Sequence, residues 1–303
     1  MGIYDAAGTT WQSAGDIAIN GGTINIDSSD DCIHCGGSMQ LIGGEIKLAS
    51  ADDGAHADHE LTIGTKNSGR YDDIVIAVEK CYEGIEAQKI YQNSGSVIVN
   101  STDDGYNAAG GSDGSGMGNT GMPWGQGGGG FGGGGFGGNS GNYLLQFNGG
   151  LAIVNATNGD HDGYDSNGNI EINGGYIISN GNEPFDCGDG GSTIKVNGGT
   201  WVSNCPSGGM SMGGSEMSAS VTASSNVSAD TRLSLVGSDG KVIVSFIVDK
   251  AVSQLKAGGS GVTSGASFYT GGTLNGSTYF QQVDQTQLAA FGGSLSGGTS
   301  IRN

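Results

Sequence analysis

The chain has 303 residues, 63 of them glycine without the third-residue period of collagen, a composition too costly in helix interiors for an ordinary helical protein. Eleven Lys and Arg stand against thirty Asp and Glu, a net charge of −19, which excludes nucleic acid or an anionic membrane as direct partner and favours cations. No run of about eighteen apolar residues occurs, so no helical membrane span is expected.

The start, Met1-Gly2-Ile3-Tyr4-Asp5, lacks the basic and apolar parts of a signal peptide. The Lys-poor, Gly/Ser/Asn/Thr-rich make-up nevertheless suits an exported protein, and an extracellular or cell-surface location is expected. The first predicted strands flank a glycine corner: Ile17 and Ile19 precede Asn20-Gly21-Gly22, and Ile24 and Ile26 follow it. The pattern returns with Met39 and Leu41 before Gly43-Gly44 and Ile46 and Leu48 after, and later with Ile170 and Ile172 before Asn173-Gly174-Gly175 and Ile177 after. A period of two means strands with one face inside. The glycine pair supplies the positive φ and the close approach that a corner needs. Gly22 to Gly44 is 22 residues, Gly150 to Gly175 is 25 and Gly175 to Gly199 is 24. Such a period predicts a solenoid, with three short strands and three corners per coil of 21–25 residues: an all-β parallel β-helix.

An acidic unit is phased with these corners. It reads Asp30-Asp31-Cys32-Ile33-His34-Cys35, then Asp52-Asp53-Gly54-Ala55-His56-Ala57, Tyr82-Glu83-Gly84-Ile85-Glu86-Ala87, Asp103-Asp104-Gly105-Tyr106-Asn107-Ala108, His161-Asp162-Gly163-Tyr164-Asp165-Ser166 and, most degraded, Asn182-Glu183-Pro184-Phe185-Asp186-Cys187. The second position is a carboxylate in every copy.

Two insertions interrupt the period, one around Thr65–Arg70 and one from 109 to 141, where 18 of 33 residues are glycine. The second cannot bury enough surface to fold alone. It reads as a loop thrown out from one corner, or as an arm in which Trp124 stacks on a sugar. After about Met217 the period is lost. Leu233–Val236 and Val242–Val248 flank Ser238-Asp239-Gly240, a hairpin signal. Residues 1–216 are thus read as the β-helix and 217–303 as antiparallel strands that cap its open end. The five cysteines include one close pair, Cys32 and Cys35, with no second pair at zinc spacing, and are read as packing residues or an occasional disulfide.

In a parallel stack, equivalent residues lie one above another at about 4.8 Å, so sequence columns become ladders. Alternation points Ile33, Ala55, Ile85, Tyr106, Tyr164 and Phe185 inward, and His34, His56, Glu86, Asn107, Asp165 and Asp186 outward. Asp31, Asp53, Glu83 and Asp104 form a carboxylate ladder whose members repel by roughly 1 kcal/mol per pair in water and more at lower dielectric. Corners that splay side chains into solvent would relieve it. So would protonation, or a divalent cation, and hard oxygen ligands on a glycine-rich backbone favour Ca²⁺. The expected ligands are Asp30, Asp31, Asp52, Asp53, Glu83, Asp103, Asp104, Asp162 and Asp165, with His56, Glu86, Asn107 and Trp124 facing a glycan.

The DDGAHA, YEGIEA and DDGYNA units, the NGG corners, the glycine-rich insertion and the LVGSDGKVIVSF and FYTGG segments resemble the carbohydrate-binding domain family of clostridial cellulose degraders. The resemblance implies a right-handed parallel β-helix like that of pectate lyases, bound calcium, and binding of cellulose and polygalacturonate, plant cell-wall polysaccharides, without established catalysis. Cys32 where glycine is usual and Ala55 where a larger aliphatic is usual depart from that pattern. A polysaccharide lyase is an alternative, for which Lys80 and Lys89 are the best-placed bases. A self-associating surface or filament subunit, using exposed sheet edges, is another.

Overall fold

A computed structural model describes residues 11–13, 15–66, 73–109, 142–156, 161–188, 192–206, 217–283 and 289–301. Trp124, with all of the glycine-rich insertion but residue 109, lies outside them, as does most of the insertion around 65–70. The described chain is all strand and turn, and no helix in it is long and apolar enough to cross a membrane.

Three columns of parallel strands run through the described residues of 11–205. The first holds Trp11–Ser13, Ile33–Cys35, the starts of Ala55–Ile63 and Ile85–Gln92, then Tyr106–Ala108, Asp162–Ser166 and Glu183–Phe185. The second holds Ile17–Ile19, Met39–Leu41, the far ends of the same two long strands, then Leu144–Phe147, Asn169–Ile172 and Ile194–Val196. The third, a separate sheet, runs Thr23–Asp27, Gly44–Ala49, Ile74–Cys81, Ser96–Ser101, Leu151–Ala156, Tyr176–Asn180 and Thr200–Cys205. Each strand pairs in register with its counterpart in the next repeat, as Ile33 with Ala55, Ala55 with Ile85, Ile85 with Tyr106 and Tyr106 with Tyr164.

The alternating apolar positions meet in one core between the columns. Ile33, Ala55, Ile85, Tyr106, Tyr164 and Phe185 are all fully buried there. The column changes from aliphatic to aromatic along its length. Tyr106 and Tyr164 lie 5.4 Å apart between ring centres, Tyr164 and Phe185 5.1 Å, and Phe147 meets both tyrosines edge-on. The buried hydroxyls are satisfied: Tyr106 donates to Gln92 Oε1 at 2.7 Å, Gln92 Nε2 to the Leu151 carbonyl at 2.9 Å, and Tyr164 to the Ile178 carbonyl at 3.0 Å. An unmade bond at any of these would cost about 1–3 kcal/mol.

At the corners between the second and third columns the two glycines divide the work. Gly175 takes φ +87, while a Cβ at Gly174 would come within 2.5 Å of the Asn148 carbonyl oxygen in the preceding repeat. The asparagines form a ladder, each Nδ2 donating to the preceding Oδ1: Asn148 to Asn93, Asn173 to Asn148 and Asn197 to Asn173, at 2.8–3.0 Å. A second amide ladder joins Asn155 to Asn100, Asn180 to Asn155 and Asn204 to Asn180 at the far end of the third column.

Beyond 217 the strands are antiparallel. Val252–Gly258 pairs antiparallel with Thr200–Cys205, with Val221–Val227 outside it, so the last parallel strand has no bare edge. The hairpin falls where Asp239-Gly240 marks it, Arg232–Val236 against Val242–Ile247, with Gly240 at φ +79. The region does more than cover an end, however. Leu233, Leu235, Val244, Phe246 and Phe268 form a second core with Leu151, Ile153, Ile178 and Val202, the outer face of the third column. The reason is in the run Leu151-Ala152-Ile153-Val154, which is apolar on both faces, as in sheets that are covered on both sides. Cys32, Cys35, Cys81 and Cys205 are buried without a disulfide, as packing residues. Burial pushes the Cys32 thiol up to about 12.

A Cβ at Gly84 would collide with the Gly105 carbonyl oxygen and with Val99. Cys32 holds the equivalent place in the first unit, where Leu48, unbranched at Cβ, takes the valine's position in the third column. Gly84→Ala is therefore expected to lower stability by about 1–3 kcal/mol, read from the urea midpoint. Gly21→Ala, whose Cβ would meet nothing within 4 Å, should leave the midpoint unchanged; equal effects would show that stacking distance is not what Gly84 serves.

Candidate functional site

The first column carries the acidic units on its outer side. His34 pairs with His56, His56 with Glu86, Glu86 with Asn107 and Asn107 with Asp165. Two residues before each inward position stand Asp31, Asp53, Glu83, Asp104, Asp162 and Glu183, of which the last two face each other across the sheet. Backbone bonds fix this row: Gly54 N donates to the Glu83 carbonyl, Gly84 N to Asp104 and Gly105 N to Asp162, each at 3.0 Å. Two carboxylates tie down the neighbouring repeat directly. Asp31 Oδ1 accepts from Asp53 N at 3.1 Å and Asp104 Oδ1 from Asp162 N at 2.9 Å.

The outward row is not an exposed row. His56 is 0% exposed and Asn107 7%, while Glu86 and Asp165 are half-buried. The cause is charge: His56 Nδ1 is drawn to Glu86 Oε2 at 2.9 Å and Asp53 Oδ2 at 3.2 Å, and Asn107 Nδ2 donates to Glu83 Oε2 at 2.8 Å. His56, expected to face a glycan, is thus enclosed on the outer side, and Glu86 is the more exposed of the two. Trp124 lies outside the described residues.

Charge compensation divides the column in two. In the first half, burial disfavours an imidazolium at His56, but the hydrogen bonds and charges of Asp53 and Glu86 outweigh it and hold the group up to about 11. His34 joins this cluster through Asp31 at 3.4 Å and Asp58 at 3.1 Å, and His56 lies 3.8 Å from Asp58. One imidazolium cannot balance all of these acids, and burial keeps the Asp53 carboxyl well above its ordinary value.

The second half is almost wholly acidic. Burial, then the charge of Glu86, push Glu83 up to about 9. Burial raises Asp104 to about 7 against the Asp162 amide that opposes it, and burial with Asp104 and Asp165 raises Asp162 to about 10. Asp165 is held well above its ordinary value by burial and by Asp104 and Asp186. His161 bonds Asp103 at the edge of this group.

Carboxylate oxygens of Asp162, Asp165 and Asp186 lie within 4.8 Å of one another, as do those of Asp30, Asp31 and Asp52. Both sets are all-oxygen. The sets Asp31, His34, His56 and Asp53, His56, Glu86 contain imidazole nitrogen, which suits borderline metals better than a hard ion. Asp162 Oδ1 is buried and has no hydrogen-bond partner among the described residues. The expected ligands thus separate: Asp30, Asp31 and Asp52 gather at one level and Asp162 and Asp165 at another. Asp53 is engaged with His56, Glu83 with Asn107 and Asp103 with His161.

One member of the column went unread in the sequence, and three more were read there as parts of the acidic units but not as site residues. Asp58 shares the outer face with His56, two residues on, and alternation alone would have placed it there. Asp186 and Glu183 sit in the degraded unit. Tyr82 replaces the carboxylate of Asp30, Asp52 and Asp103 at the first position of its unit and is 47% exposed beside Asp103.

Glu83, Asp104 and Asp162 bind protons more tightly folded than unfolded, so the native state holds more protons between the ordinary carboxylate range near 4 and these raised values. Stability then falls as pH rises across that window. His56 acts in the same direction, its contribution being complete below the ordinary histidine value and lost as pH rises through about 11. In excess chelator the melting temperature is expected to fall from about pH 5 to about pH 9, and less steeply in Asp162→Asn. A flat profile by scanning calorimetry would mean that the column is solvated.

Residues 5–54, which include the first acidic unit and the start of the second, match a family described as carbohydrate-binding domain-containing protein. No curated protein and no solved structure matches the chain.

Proposed function

We propose that the chain is an extracellular, calcium-dependent module that binds plant cell-wall polysaccharide, polygalacturonate first and cellulose second, without cleaving it. The observation that carries this reading is the outer column of half-buried, proton-hungry carboxylates on a chain whose N-terminal residues match a carbohydrate-binding family. In the proposed architecture the three columns wind as a right-handed parallel β-helix. The repeated strand order supports this, together with the rule that parallel crossovers are right-handed in about 98% of cases.

Buried acids of like sign must bind protons or a cation. What supports calcium at the level of Asp162, Asp165 and Asp186, next to Asp104, is the all-oxygen donor set and the unpartnered Asp162 Oδ1. Calcium takes six to eight oxygens, so about three protein carboxylates leave room for a uronate carboxylate and water. When bound, the ion supplies local positive charge that reverses the repulsion between an acidic protein and an acidic glycan. The level of His34 and His56 already carries an imidazolium and fits calcium less well.

Tyr82 gives the column an exposed aromatic face on which a sugar ring can stack, between the levels of Asp52 and Asp103. The bases a lyase would need stand elsewhere. Lys80 is exposed on Ile74–Cys81 in the third column, and Lys89 lies on the far end of Ile85–Gln92, paired with Glu60 and Leu144.

Polygalacturonate is expected to bind in millimolar calcium and to be released by chelator, in calorimetry or affinity electrophoresis, with no growth of unsaturated-product absorbance even at alkaline pH. Tyr82→Ala should weaken glycan binding about tenfold with calcium binding intact, and Asp162→Asn with Asp165→Asn should remove both. Binding indifferent to chelator would sink the calcium bridge. Product that disappears in Lys80→Ala or Lys89→Ala would make the protein a lyase.

A further inference from the structure

A cavity of about 230 Å³ lies between the third column and Gln282 and Val283 of the C-terminal region. Val75, Ala77 and Ile98, outward positions of Ile74–Cys81 and Ser96–Ser101, give it an apolar floor. Two polar side chains also line it. Ser96 is 1% exposed and Gln282 6%, and Ser96 Oγ, Gln282 Nε2 and Gln282 Oε1 have no hydrogen-bond partner among the described residues. A buried amide and hydroxyl left unpaired weaken a fold, and both are paired in nearly all native interiors. A volume several times one water's share of the liquid, about 30 Å³, leaves room for a larger partner.

We infer that this cavity is a second ligand site, one that takes a neutral, hydroxyl-rich ring of the pyranose kind and needs no metal. The unpaired set offers a donor, an acceptor and a group that is both, which is what vicinal hydroxyls complement. The flat aliphatic floor suits the C–H face of a ring. An anion is disfavoured, because Glu79 lines the same cavity and the chain carries a charge of −19. Cations gain little, since Glu79 is already paired with Lys47 and the other groups are neutral. The site therefore differs in chemistry from the acidic column, and it stands or falls without the calcium reading.

The test uses the full chain in excess chelator, with glucose, galactose, xylose and cellotetraose as probes, read by saturation-transfer NMR and calorimetry. At least one neutral sugar is expected to bind. Gln282→Leu and Ser96→Ala should each weaken it about tenfold and leave calcium-dependent polygalacturonate binding unchanged. Because each variant removes an unpaired buried group, neither should lower the melting temperature of the free protein, which a purely structural role would require. No binding by any probe, meaning a cavity that holds water only, overturns the inference, as does binding that both variants leave intact. A negative result here with calcium-dependent polygalacturonate binding retained removes the second site alone.

Discussion

Parallel pairing in register forces every residue of a repeat to live with its counterparts one strand spacing away. The fold depends on that constraint, because a column is only as stable as the interaction of one side-chain type with itself. Aliphatic and aromatic columns satisfy it through packing, as Tyr106, Tyr164 and Phe185 do. Asparagine satisfies it through hydrogen bonds, since a primary amide donates at one end and accepts at the other, and each bond polarises the next. Glycine satisfies it by absence, letting Gly84 come close to Gly105. Carboxylates alone have no such solution. A column of them can only repel, and what the protein does about that repulsion is where its chemistry lies.

The first and second halves of the acidic column answer differently. Around His34 and His56 the counter-charge is internal, an imidazolium enclosed by Asp53 and Glu86 with Asp58 beside it. Around Asp104, Asp162, Asp165 and Asp186 the proton affinity of the carboxyls rises instead. A group that resists losing its proton at neutral pH also responds to any cation that takes the proton's place, so the second half is the part of the surface whose charge depends on the surroundings.

Much of this was legible in the sequence because registration is periodic. The spacing of Asn-Gly-Gly corners located the columns, and alternation separated Ile33, Ala55 and Ile85 from His34, His56 and Glu86. Asp239-Gly240 located the hairpin. What stayed hidden depends on contacts between columns or beyond the repeat. Alternation says that His56 leaves the core, and it cannot say that two carboxylates then enclose it. Nor does a period that is lost after about Met217 disclose that Leu151, Ile153, Ile178 and Val202 await a partner, although the unbroken apolar run Leu151–Val154 was the clue. The cavity between Ser96 and Gln282 joins residues far apart in sequence, for which no local pattern exists.

The corner ladder also bears on how the protein ages. Asparagine followed by glycine, as at Asn148, Asn173 and Asn197, is a dipeptide that deamidates when the glycine nitrogen swings onto the side-chain carbonyl carbon and closes a five-membered imide. Here the motion is opposed at both ends. The amides of Asn173 and Asn197 are held in the ladder, and the nitrogens of Gly174 and Gly198 donate to the Phe147 and Ile172 carbonyls of the preceding repeat. A conversion would also place a carboxylate beside an amide oxygen, ending the line of bonds at that level. The stacking that gives the corners their shape thus protects the bonds from which they are made.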